Sequence, residues 1–248
     1  MSSSGNYQRL LGNSGFEAFL WTQFLGAFND NVYKMMVSMI AVEIASNAQL
    51  GARYLALAGA IFVLPYLLFA GPAGQLADRF SKTRVLQVTK SLEILTMTLG
   101  LIALLMNRIE LLLAVLFLLA VQANFFSPAK YGILPEMTGE AEITAANGLV
   151  EFSTLAAIVL GTSFGSFLIE IWKHNPWRLG GTLLIIAIAG TLCSLKIPKV
   201  AASGSLEQFH WNPFHEVWAG CRALLQNRAL ALSVVGLSYF WFIGALFQ

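Results

Sequence analysis

Apolar runs of about 20 residues recur along almost the whole chain, at 16–44, 53–76, 85–106, 110–133, 145–172 and 179–197, with another from 229 to 248. Short polar turns separate them. About 20 apolar residues wound as a helix cross a hydrocarbon core of roughly 30 Å. In lipid every backbone N–H and C=O needs a partner within the structure, and an unalternating run of this length meets that need only as a helix. The pattern therefore predicts an all-α membrane protein: a bundle of six transmembrane helices (1–197), a polar connection (198–228), and the start of a seventh helix (229–248), truncated at the end of the sequence.

Composition agrees. Apolar residues make up 57% of the chain and charged ones 11%, against roughly 25% charged in a soluble domain. A soluble protein with buried helices is excluded on that ground, and a net charge of +2 is too small to imply a nucleic-acid partner. Cys193 and Cys221 do not suggest a disulfide framework. No cleavable signal peptide is expected, because the first run carries Asp30 and Lys34 and is followed by no small-residue cleavage site.

Lysine and arginine in the connections set the orientation. With the N-terminus in the cytoplasm, that side collects Arg9, Arg79, Lys82, Arg84, Lys196, Lys199, Arg222 and Arg228, and the opposite side only Arg53, Arg108, Lys173 and Arg178. The connection differs in character from the runs. Residues 201–205 are small and flexible, and Asn212-Pro213 reads as an N-cap followed by proline at the first helical position. Phe214, Val217, Trp218, Cys221, Leu224 and Leu225 would then share one face, as expected of an amphipathic helix on the membrane surface. The same face would suit packing against protein.

Two polar interruptions stand out. The first run contains Phe28-Asn29-Asp30-Asn31-Val32-Tyr33-Lys34. Asp30 and Lys34 are four apart and share a helix face. A charge at mid-membrane costs roughly 2.5–3.5 kcal/mol on insertion scales, so Asp30 should face protein or a wet cavity. Either the two charges neutralise one another and pin helix packing, or they meet a substrate or ion, with the amides of Asn29 and Asn31 assisting. The fourth run ends in 125–136, Phe-Phe-Ser-Pro-Ala-Lys-Tyr-Gly-Ile-Leu-Pro-Glu. Pro128 should kink that helix, and Ser127 can hydrogen-bond a freed backbone group. Lys130 is either an interfacial anchor or a cavity residue.

Weaker features follow. Gly161-x-x-x-Gly165 reads as a packing seam in the fifth helix. Glu93 and Glu151 are either proton or cation sites or satisfied structural carboxylates. His210 and His215 show no metal-ligand spacing, and the chain holds no nucleophile–base arrangement or phosphate loop. An enzyme, a metal and a cofactor are accordingly not expected.

The turn between the second and third runs is the most specific signal: Gly74-Gln-Leu-Ala-Asp78-Arg79-Phe-Ser81-Lys82-Thr83-Arg84. It resembles the loop signature of the major facilitator superfamily, Gly-x-x-x-Asp-Arg/Lys-x-Gly-Arg-Arg/Lys. Gly74, Asp78 and Arg79 match, Ser81 replaces the second glycine, Lys82 keeps a charge, Thr83 departs, and Arg84 follows. Plain retention of positive charge on the cytoplasmic side would also produce a short basic turn. The resemblance implies six helices built as two three-helix repeats, with the first and fourth, here the two polar-interrupted ones, lining a central cavity. It also implies that the loop helps latch the two transporter halves in one alternating state. The phrases at 28–34 and 125–136 are similar to the bacterial lysophospholipid transporter branch. Asn212-Pro213-Phe214 and the aromatic run 239–242 are similar to members fused ahead of an acyltransferase and an acyl-carrier-protein ligase.

What the resemblance implies is inward flipping of lysophospholipids across the bacterial inner membrane for re-acylation. The chemistry of the residues is compatible with it: Lys34 or Lys130 for the phosphate, Asp30 with Asn29 and Asn31 for an amine, phenylalanines beside the acyl chain. A missing C-terminal half and a phospholipid acyltransferase are the partners expected beside the bilayer. Half a transporter lacks one wall of its cavity, so no transport is expected of this stretch unaided. Transport of another amphiphile or drug, and a non-transporting membrane platform for an acyltransferase, are the competing readings.

Overall fold

The computed structural model describes residues 3–173, 175–202 and 213–246, and among these there is helix and no strand. The helices are α1 (Ser3–Leu11), α2 (Ser14–Ile44), α3 (Ala48–Arg79), α4 (Lys82–Met106), α5 (Ile109–Gly132), the single turn α6 (Leu134–Met137), α7 (Ile143–Trp172), α8 (Pro176–Ser194), α9 (Pro213–Gln226) and α10 (Arg228–Leu246). Each apolar run corresponds to one helix that starts one to five residues earlier, and the sixth stops at Ser194, short of the expected 197. Asparagine sets several of those ends. The side chain of Asn13 accepts from Gly15 N and Phe16 N, that of Asn47 from Leu50 N, and that of Asn175 from Arg178 N, which satisfies amides a helix start leaves unpaired. Asn107 closes α4 in the left-handed region at φ 49°, a conformation asparagine tolerates better than most residues. Pro128 lies inside α5, which runs on to Gly132.

Five helices, α3, α4, α5, α7 and α8, are long and apolar enough to cross a membrane. The expected first span, α2, has 31 residues, about 46 Å of helix, but with Asn29, Asp30, Asn31 and Lys34 in its middle no membrane-length stretch of it is as apolar as those five. It is enclosed by protein instead, packing against α3, α5, α7 and α8. The seventh expected span corresponds to α10, a shorter apolar helix. The nine-residue α1 was not foreseen; Asn6 Nδ2 donates to the Ala141 carbonyl at 3.0 Å and Arg9 pairs with Glu142 at 3.5 Å.

The packing has an internal symmetry. Take α2, α3, α4 as one triplet and α5, α7, α8 as the other. Then α2 packs on α7 as α5 packs on α3, α2 on α8 as α5 on α4, and α4 meets α8. Exchanging the triplets preserves these contacts, as two repeated units related by a two-fold axis would show, although α2 also packs on α3 without a comparable α5–α7 counterpart. The α2–α7 contact depends on Gly161 and Gly165: a Cβ on either would lie 2.6 Å from the Phe28 carbonyl oxygen or 2.8 Å from that of Val32. Small residues of this kind let membrane helices approach closely. Substituting valine for Gly161 is expected to cost about 1–3 kcal/mol through overpacking, read as a lowered midpoint in thermal unfolding of the purified protein. An unchanged midpoint would show that the two helices can separate without loss.

After α8 the chain turns back under the bundle. The Ser81 hydroxyl donates to the Val200 carbonyl at 2.7 Å, the Thr83 hydroxyl donates to the Pro198 carbonyl at 2.6 Å, and Thr83 Oγ1 accepts from Val200 N at 3.2 Å. Ser81 and Thr83 are the two positions at which the turn departs from the loop signature, and both fasten residues 198–200 to it. The residues at 203–212, among them His210 and the expected N-cap Asn212, lie outside the described residues, as do the side chains of Phe214, His215 and Val217. Helix α9 begins at Pro213 and packs against α3.

Candidate functional site

A cavity of about 450 Å³ lies at the centre of the bundle, walled by α2, α3, α4, α5 and α7, with Phe240 and Gly244 of α10 at its margin. On α2 its lining is Gln23, Gly26, Ala27, Asp30, Asn31 and Lys34, a stripe at three- and four-residue intervals that a helix presents on one side. On α5 the stripe is Gln122, Ala123, Phe126, Ser127 and Lys130. The polar interruptions of the first and fourth long helices therefore face the same space. Phe62 and Tyr66 of α3 and Thr154, Leu155 and Ile158 of α7 supply mostly apolar walls.

Of the expected site residues, Asp30, Asn31, Lys34 and Lys130 reach the cavity, and Asn29 does not. Asn29 points about 100° away from Asp30, is fully buried, and donates its amide to Glu93 Oε1 at 2.8 Å. Its work is between helices. Among the described residues no ion pair joins Asp30 to Lys34, so the two do not neutralise one another by direct contact. The Lys34 ammonium stands over the Phe62 ring, 5.0 Å from its centroid, an attraction worth about 0.5–2 kcal/mol according to its desolvation. Lys130 is only 9% exposed and its ammonium lies 4.6 Å from the centre of the Tyr131 ring. Asn31 turns its amide back to the Ala27 carbonyl at 2.7 Å.

Lys90 escaped the sequence reading altogether, and it is the most deeply held charge in the cavity wall. It forms an ion pair with Glu93 one turn along α4, and both side chains are 2% exposed. Glycines make room for it: a Cβ on Gly26 would lie 3.1 Å from the Lys90 ammonium, and one on Gly190 3.0 Å. Glu93 also accepts from Asn29 and, at 3.4 Å, from Gln122, and is a satisfied structural carboxylate. Glu151, the other acidic candidate, accepts the Tyr131 hydroxyl proton at 2.6 Å. The spacing Lys90-x-x-Glu93 inside an apolar run was the available signal. Gln23 likewise joins α2 to α7, donating to Ser153 and accepting from Thr154 at 3.1 Å.

The loop residues sit at the other end of α3 and α4. Asp78 and Arg79 close α3, and with Arg84 they are exposed. Gly74 has open space where a Cβ would project. Lys82 behaves differently. It is buried, and its ammonium pairs with Glu136 at 2.5 Å while its stem crosses Gly132, where a Cβ would lie 2.9 Å from Lys82 Cε. The basic turn is thereby tied to the Gly132 and Glu136 positions of the 125–136 phrase. Among the described residues no cluster of His, Cys, Asp and Glu has the arrangement of a metal site.

The arrangement can take a ligand with charges of both signs and an apolar part. Three lysines, Asp30 and Glu93 line a space whose remaining walls are largely aromatic and aliphatic. Comparison with known proteins adds the following. A family model described as the Major Facilitator Superfamily matches residues 19–248. The chain is 32% identical over 248 residues to the lysophospholipid transporter LplT of Klebsiella pneumoniae subsp. pneumoniae, covering 98% of this chain and 58% of the relative. It is 33% identical over 234 residues to that of Cronobacter sakazakii, covering 93% and 55%, and 33% identical over 249 residues to that of Escherichia coli strain SE11, covering 98% and 58%. The chain thus spans little more than half the length of the curated relatives it matches.

Proposed function

The chain belongs to the major facilitator superfamily, and from that premise we propose that it forms the cavity-bearing N-terminal half of a transporter that moves lysophospholipids inward across a bacterial inner membrane. The observation that carries this reading is the central cavity, where Asp30, Lys34 and Lys130 share one space with Phe62, Phe126 and Ile158. A lysophospholipid has a phosphate, often an amine, and one acyl chain. Lys34 and Lys130 are the phosphate partners, Asp30 is the partner of the amine, and Asn31 adds an amide beside it. Asn29 supports the site from behind, through Glu93. The likeness to the LplT proteins supports the substrate class.

In this reading the N-terminus is cytoplasmic, following the excess of Lys and Arg at that end of the bundle. The opposing cavity wall comes from a second half, consistent with the 58% of the relatives' length that the chain matches. Exposed Asp78 and Arg79 are the charges available to meet that half, and Lys82 with Glu136 fixes the turn that presents them. An acyltransferase on the cytoplasmic side would consume the product. The test is accumulation of labelled lysophosphatidylethanolamine by spheroplasts that lack their own lysophospholipid transport and express this half together with its second half. Uptake above that of empty-vector cells is expected. Failure to accumulate the label, with both halves present in the membrane, overturns the proposal.

A further inference from the structure

We propose that the groove between α3, α4 and α5 on the outer face of the bundle holds an anionic phospholipid of the leaflet beside the α3–α4 turn, with its phosphate on Arg84. The groove, about 660 Å³, is separate from the central cavity. Its long wall is one stripe of α4: Arg84, then Leu92, Leu95 and Leu99, positions that fall in line along a helix. Phe125 of α5 stands in the opposite wall. The stripe runs about 22 Å at 1.5 Å per residue, longer than the roughly 15 Å of one leaflet's half of the hydrocarbon core, so it accommodates a full acyl chain. Leu95 is 58% exposed, and on a membrane-crossing helix what meets such a surface is lipid.

Charge decides which lipid. An acyl chain gains little by leaving bulk hydrocarbon for an apolar groove, since the two environments are alike. Selectivity must come from the head group, and Arg84, exposed at the mouth, is the charged residue lining the groove. A guanidinium engages a phosphate bidentately, and one basic residue near the membrane surface favours an anionic lipid by roughly five-fold. Gln122, whose amide is held toward Glu93 at 3.4 Å, lines both the groove and the central cavity and stands between them. This site stands independently of the transport proposal.

Native mass spectrometry of the full chain, released from micelles containing equal phosphatidylglycerol and phosphatidylcholine of matched chains, tests it. The wild type should retain phosphatidylglycerol about five-fold over phosphatidylcholine. Arg84→Gln should bring that ratio to about one, whereas Arg84→Lys, which keeps the charge, and Arg108→Gln, which removes an exposed arginine at the opposite end, should preserve it. Leu92→Trp, which fills the groove, should lower retention of both lipids. Equal retention of the two lipids by the wild type overturns the site, as does an Arg84→Gln variant with an undiminished ratio. Should Arg84→Gln fail to fold, the comparison of Leu92→Trp with wild type decides: unchanged retention would mean the groove is covered by protein or left empty.

Discussion

Replacing Lys90 with alanine is expected to lower the stability of the bundle by about 3–5 kcal/mol, the range found when one partner of a buried ion pair is removed. Replacing Lys90 with methionine and Glu93 with leucine together should cost much less. The reason lies in what each change leaves behind. The two side chains are 2% exposed, so the survivor is poorly hydrated. Alanine at 90 strands the Glu93 carboxylate among Asn29, Gln122 and apolar helix faces, with two amide donors and no cation. It also opens space between Gly26 and Gly190, which have no side chains to collapse into it. The double replacement removes the charge altogether and refills the volume. Its residual cost is the acceptor lost to Asn29 and Gln122, about 1–3 kcal/mol for a buried polar group left unmatched. Thermal or denaturant unfolding of the purified protein reads both numbers. A single variant no less stable than the double one would show that the pair is hydrated and structurally idle.

The same pair shows where a sequence stops being legible. Helix positions came through because the apolar runs are long and the turns short. Which side of a helix a polar residue occupies did not. Asn29 and Asn31 flank Asp30 by about 100° to either side, and nothing in the sequence distinguishes them; packing of α2 on α7 and α8 turns Asn29 toward Glu93 and leaves Asn31 at the cavity. Lys90 lay within an apolar run near a charged turn, where a lysine reads as an interfacial anchor, and only the position of α4 against α2 and α8 makes it a buried cation. Ser81 and Thr83 looked like erosion of a family motif until residues 198–200 were seen fastened to them. By contrast, the glycine seam of α7 was readable, since 161 and 165 must lie on one face and small residues there have few uses besides close approach.

Asp30→Asn and Lys34→Gln should each reduce lysophosphatidylethanolamine uptake by at least 10-fold while leaving the amount of protein in the membrane unchanged. Asp30→Asn keeps the size of the side chain and removes its charge, and Lys34→Gln removes the charge while keeping an N–H donor on a side chain one atom shorter. A hydrogen bond to a charged group contributes about 1.5–3 kcal/mol, or roughly 10- to 150-fold in binding, and in a cavity with aromatic walls there is little water to compensate. Asp30 and Lys34 line that cavity, one turn apart on α2, without forming an ion pair with each other. Asn29→Ala separates the site from its scaffold. Asn29 lies outside the cavity lining and donates to Glu93, so its loss should lower the unfolding midpoint, and uptake corrected for protein level should stay within a few-fold of wild type. The opposite pattern, normal uptake with Asp30→Asn and Lys34→Gln, would remove these charges from the transport path. The groups that contact the substrate would then have to be sought on Lys130, on Lys90, or on the second half.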